Sequence, residues 1–131
     1  MTRIVFTVGF LAAFSTPVFA APPELMGRWS GQWISEKNGH TGPLHGKFTQ
    51  LDEATYRVRF HGRFAKIIPF WYSTKMHVDR TTDDSVFLSA NQNLGLLFGT
   101  FRMSAMATAT SFDASFTSRD DTGRFILTRR R

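Results

Sequence analysis

The stretch "GRWSGQW", Gly27 to Trp33, holds two of the chain's three tryptophans, four residues apart, each with a glycine two places before it. In an extended strand, successive side chains point to opposite faces. Gly27, Trp29, Gly31 and Trp33 then share one face, and Arg28, Ser30 and Gln32 share the other. Both indoles point inward, with a glycine leaving room beside each. Two rings placed this way act either as a plug closing one end of a barrel or as a stacking platform inside a ligand cavity.

The same period of two runs outward from this stretch. "TYRVRFHGRF" puts Tyr56, Val58, Phe60, Gly62 and Phe64 opposite Arg57, Arg59, His61 and Arg63. "PFWYSTKMHV" sets Phe70, Tyr72, Thr74, Met76 and Val78 against Trp71, Ser73, Lys75 and His77. Later segments alternate around Phe101, Met103, Ala105 and Ala107, then Phe112, Ala114 and Phe116, then Gly123, Phe125 and Leu127. Sustained alternation predicts half-buried antiparallel strands. Turn residues separate them, among them Asn38-Gly39, "LDEA", "RTTDD", "NQNLG" and "SRDDTG".

Eight strands are expected, near 26–34, 43–50, 54–63, 68–79, 85–91, 96–107, 110–118 and 123–130. Short connections pair sequential neighbours. The economical result is an all-β fold, a single antiparallel up-and-down meander of about eight strands closing into a barrel, which leaves no open edge. A two-sheet β-sandwich is the alternative.

The first twenty residues stand apart. "MTRIVFTVGFLAAFSTPVFA" has a basic start, an apolar run and a small-residue end, the layout of a secretory signal peptide cleaved after Ala20. The apolar run is too short to span a bilayer, and no other run of spanning length follows. The expectation is therefore a single domain, 21–131, exported to the periplasm or beyond, with no transmembrane segment. The chain has no cysteine, so its core must hold it without disulfides. Loss of Arg3 leaves a net charge of +5, suited to anionic surfaces such as envelope polymers. No basic run marks it for nucleic acid.

The opening stretch resembles the start of the calycin barrels, the lipocalins and avidins, which carry Gly-x-Trp on their first strand. Gly27 and Trp29 match that motif. In lipocalins the tryptophan packs against an arginine or lysine near the end of the last strand, so the resemblance implies contact between Trp29 and Arg129 or Arg130. The chain also resembles a group of small exported bacterial β-proteins through "GRWSGQW", "GHTGPLHGKF", "YRVRFHGRFAKIIPFWY", "LFGTF" and "FDASFTSRDDTGRFILTR". That likeness implies export and a single domain, and nothing more.

Chemistry is sparse. The carboxylate pairs Asp52-Glu53, Asp83-Asp84 and Asp120-Asp121 fall in expected turns, where acids serve turn geometry. No Gly-x-Ser-x-Gly elbow or triad pattern is present. His45, His61 and His77 fall on expected outer faces of adjacent strands and read as solvent-facing, not as a zinc site. The expectation is a protein without catalytic residues, metal or cofactor.

Two binding surfaces are expected. An apolar ligand would lie inside, among Trp29, Trp33, Tyr56, Tyr72, Phe101, Ala105 and Ala107, with Gly99 and Ala109 extending the wall of small residues. The loop "FAKIIPF", Phe64 to Phe70, would lid such a slot or contact a partner. An anionic envelope polymer would lie outside, on Lys47, Arg57, Arg59 and Arg63. The leading expectation is a structural or interaction module of the envelope, and the alternative a carrier of a small apolar ligand.

Overall fold

A computed structural model describes residues 23–64, 68–93, 99–119 and 121–130. Its regular elements are all strands: β1 Gly27–Ser35, β2 Thr41–Asp52, β3 Thr55–Phe64, β4 Ile68–Thr81, β5 Val86–Asn93, β6 Thr100–Ala107, β7 Ser111–Thr117 and β8 Thr122–Arg129. Each pairs antiparallel with its neighbours in sequence, and β1 also pairs with β8. The sheet is thus a closed eight-stranded up-and-down barrel and not a sandwich. Met1–Ala20 and residues 65–67 of the apolar loop lie outside the described residues.

Alternation decides what goes inside. Phe48, Tyr56, Val58, Phe60, Met76, Leu88, Met103, Phe112, Phe116, Phe125 and Leu127 are buried, while the residues between them face out. Burying such side chains contributes about 1.5–3 kcal/mol each, which sustains a cysteine-free domain of this size.

The seam between β1 and β8 runs from Trp29↔Arg129 to Ser35↔Gly123. Here two glycines are required by close approach. A Cβ on Gly31 would run into the Ile126 carbonyl of β8, and one on Gly123 into the Ile34 carbonyl of β1. The seam is therefore coiled more tightly than side chains would allow.

One end of the barrel is sealed by the segment before β1. Leu25 is fully buried there, and its N–H donates to the Tyr56 hydroxyl at 3.3 Å. Trp29, also fully buried, donates its indole Nε1–H to the Leu25 carbonyl at 3.0 Å. The Arg129 guanidinium lies over the Trp29 ring, 4.9 Å from its centroid. It also donates to the Met26 carbonyl at 3.2 Å and to the Glu24 carbonyl. Of the two arginines the resemblance left open, Arg129 makes the contact.

Trp33 behaves otherwise. It lies four residues along β1, only partly buried near the far rim, where its indole donates to the Arg63 carbonyl at 2.9 Å. The two tryptophans do not close one end together, because four residues of strand separate them by about 13 Å along β1. The wall of small residues is also shorter than expected. Gly99 precedes β6 with a positive φ of 69°, and Ala109 lies in the turn closed by Thr108 N–H to the Ser111 carbonyl at 2.8 Å. Only Ala105 and Ala107 remain in the wall.

Trp29→Ala removes the ring on which Leu25, Phe48, Phe112 and Arg129 converge, and a truncation of this kind costs ~3–5 kcal/mol. Chemical denaturation should show that loss. A variant as stable as the parent would refute the structural role of the ring.

Candidate functional site

The interior is crossed by rings in contact. Trp29 meets Phe48 at 5.5 Å between centroids, Phe48 meets Phe112 at 5.2 Å, and Phe112 meets Phe60 at 6.4 Å. The series continues through Phe60–Phe125 at 5.1 Å, Phe125–Phe116 at 5.2 Å, Phe116–Phe101 at 5.4 Å and Phe101–Tyr72 at 5.0 Å. Edge-on and offset rings at these spacings fill space as a packed core does. Ala105 and Ala107 are buried beside them. Ala107 is the register partner of Phe112, and Ala105 that of Ala114. The two alanines lie beside the rings at these register positions. Tyr56 belongs to the sealed end, and Trp33, Tyr72 and Phe101 to the other.

Toward that second end the wall of the barrel parts. The β4–β5 ladder runs from Thr81↔Val86, across a bulge between Val78 and Arg80, and stops at His77↔Ser89. Beyond it, among the described residues, Ile68–Met76 pairs only with β3 and Ala90–Asn93 only with β6. A cleft of about 430 Å³ lies there, lined by Arg57, Ser73, Thr74, Lys75, His77, Asn91 and Gln92. Gln92, which lines it, and Tyr72, two residues from its Thr74, each hold a buried oxygen, Oε1 and the hydroxyl, without a hydrogen-bond partner. Burial pushes the Tyr72 phenol above its ordinary value of 10.0. The Thr74 hydroxyl, near but outside hydrogen-bond geometry, offsets part of that rise.

The outer face of β1–β4 is cationic. Register sets Arg28 beside Lys47 and Lys47 beside Arg59 in one row, and Arg57 beside Lys75 in the next. Arg63 lies further along β3. No Asp or Glu occurs in β1, between Thr41 and Leu51 of β2, in β3, or between Ile68 and Val78 of β4. On β8, next to β1, Arg124 has its acid, Asp113 of β7, at 2.5 Å. The row on β1–β3 has none among the described residues. Trp71 stands beside this face with 76% of its surface exposed. A hollow of about 300 Å³ at its base includes Pro43, His45, His61 and Arg63.

His45 and His61 are register partners with rings stacked at 4.8 Å. Partial burial, then the neighbouring His61, Arg130 and Arg63, hold His45 below the ordinary imidazole value. His77 pairs with Thr55, six residues along β4 from Trp71, the partner of His61, so the three imidazoles do not converge. No group of three potential metal ligands occurs among the described residues. The turn acids serve their turns. Asp52 accepts the Ala54 N–H at 2.9 Å, Asp84 the Thr82 hydroxyl at 3.0 Å, and Asp121 the Ser35 hydroxyl at 2.7 Å.

Arg28, Lys75, Trp71 and Gln92 join these surfaces beyond the residues singled out from sequence. Alternation assigned the first three to outer faces. Only register shows what stands beside them.

No family model matches the chain, and no curated protein matches it. Among solved structures it is similar to a redesigned β-barrel, mFAP1, bound to DFHBI. The TM-score is 0.59 over 81% of this chain and 94% of that one, at 21% identity. The likeness is one of fold. Among the described residues no helix is long and apolar enough to cross a membrane.

Two outcomes follow from the interior. Ala107→Leu adds volume where Phe112 already packs, so melting should show a loss of ~1–3 kcal/mol, and neither form should quench its tryptophans on titration with a fatty acid. Saturable quenching in the parent would contradict the packed core. Tyr72→Phe deletes a hydroxyl with no partner and should leave stability at pH 7 unchanged or raised. A phenol raised in the fold favours folding below its unfolded value, and that contribution is lost as pH climbs through the folded value. The parent should therefore lose stability above pH 10.0 relative to the variant, as parallel melts would register.

Proposed function

We propose that this barrel is an exported, non-enzymatic interaction module that docks an anionic polymer of the cell envelope on the outer face of β1–β4. One observation carries the reading: the row Arg28–Lys47–Arg59, with Arg57, Lys75 and Arg63 beside it, contains no carboxylate. Like charges directly opposite on neighbouring strands destabilise a sheet. A face shaped only for stability would intersperse acids, as the Arg124–Asp113 pair does on β7 and β8. An external polyanion relieves the repulsion and gains from it.

A polymer suits this face better than a bilayer. Trp71, 76% exposed, is the most exposed large apolar side chain of this face among the described residues, with Leu51 less exposed at the end of β2. One ring flanked by His61 and Ser73 gives a stacking surface for a sugar, with too little apolar area to enter a membrane. Removal of Met1–Ala20 would deliver the domain to the compartment that holds such polymers.

Internal carriage of an apolar ligand is the lesser reading. The designed barrel mFAP1 is bound to DFHBI. In this chain the corresponding argument meets a core in which ring packs on ring from Trp29 to Tyr72.

Heparin retention tests the docking reading. Elution should follow salt, and a variant with Glu at Arg28, Lys47 and Arg59 should bind on the order of tenfold more weakly at low salt. Retention should strengthen only as pH falls below the ordinary imidazole value of 6.5, because His45, held below that value by burial and its cationic neighbours, then adds charge to the face. Retention indifferent to salt and to the three reversals would sink the idea. Tighter binding to vesicles of anionic phospholipid than to heparin would replace the polymer with a membrane.

A further inference from the structure

We propose that the parting between β4 and β5 is a binding site for a small oxyanion, a carboxylate or a phosphate. Four observations meet there. Among the described residues the ladder ends at His77↔Ser89, and beyond it Thr74–Met76 and Ala90–Gln92 are not paired with one another. The cleft between them, about 430 Å³, is wide enough for a molecule of several heavy atoms. Arg57 and Lys75 supply positive charge at its mouth, His77, Thr74, Asn91 and Gln92 supply hydrogen-bonding groups, and no carboxylate is among its lining residues. Polar atoms there are left unmatched: the Gln92 oxygen and the Tyr72 hydroxyl are buried without a partner, and Thr74 makes only a long contact of 3.5 Å to the Lys75 carbonyl.

Buried polar atoms are nearly always paired, and each one left over costs ~1–3 kcal/mol. Several such atoms gathered around one cleft mark the place of a missing partner. An oxyanion supplies what they lack. Its charged oxygens accept from Arg57 and Lys75 at the mouth. The Tyr72 hydroxyl donates inward, and the Gln92 amide, by turning about its last bond, offers its N–H groups in place of its oxygen. A cation would face Arg57 and Lys75, and an apolar molecule would leave every one of these groups unpaired.

This site is independent of polymer docking. It shares Arg57 and Lys75 with the outer face, but Tyr72 and Gln92 are uncharged and lie behind it. The two readings therefore separate experimentally. Backbone amide shifts of the purified protein are followed on titration with inorganic phosphate and, separately, with lactate. The expected result is a saturable shift confined to residues 73–77 and 89–92 with at least one of the two, and the tighter probe names the class. The double variant Tyr72→Phe, Gln92→Leu should weaken that binding on the order of tenfold while heparin retention stays that of the parent. Should the double variant fail to fold, Lys75→Gln, at an exposed position, should weaken it as well. No saturable shift with either probe, which would leave only water in the cleft, overturns the proposal. So do equal shifts at Arg28, Lys47 and Arg59, the mark of general ion screening, or undiminished binding in the variants.

Discussion

The Arg129 side chain, spread over the Trp29 ring, is the contact on which the rest of the barrel depends. It joins both ends of the folded chain. The planar face of the guanidinium meets the indole, while its N–H groups reach the carbonyls of Glu24 and Met26 in the segment that seals the barrel. The indole in turn holds the Leu25 carbonyl, and Leu25 holds the Tyr56 hydroxyl of β3. A lysine could supply the charge but not the flat stack with several directed donors. Closure, end-sealing and the seating of the first core ring are thus one event.

What closure accomplishes inside limits what the inside can do. A barrel of eight strands has room for its own side chains or for one small ligand. Here large rings alternate with glycine and alanine, so the side chains take the room. The proposed recognition surfaces are the outer face of β1–β4 and the stretch beyond His77↔Ser89. Both put strain on the fold, the first as unrelieved repulsion and the second as unmatched polar atoms. A core sealed at one end by Trp29 and Leu25 absorbs those costs.

Much of this was written in period two. The inward set Tyr56, Val58, Phe60 and the outward set Arg57, Arg59, Arg63 follow from strand geometry alone, as does the strand count. Arg129 was reachable only through the likeness of Gly27-x-Trp29 to other barrels, since sequence does not say which residue of the last strand lies beside the first. Trp33 shares the phase of Trp29 yet ends half-exposed, because burial depends on height along the barrel as well as on face. The row Arg28–Lys47–Arg59 is a property of register between strands. The parting of β4 from β5 follows a bulge between Val78 and Arg80 that no residue there announces. His45, His61 and His77 looked like neighbours on adjacent strands, and register brings only the first two together.

The seam has a kinetic meaning as well. Arg129 and Met26, which it holds together, are 103 residues apart in sequence, whereas every other strand pairs with one a short turn away. Closing so long a loop is entropically slow, and it is rewarded only when the hairpins on either side already exist. β1 and β8 are therefore the last strands to meet. Until they do, the molecule is an open curved sheet with two unpaired edges shaped to fit each other, and the β1 of one copy fits the β8 of another as well as its own. Assembly is then a contest between closure within a chain and end-to-end addition between chains, and the glycines at 31 and 123 tilt it toward the closed ring by letting the two edges coil into contact.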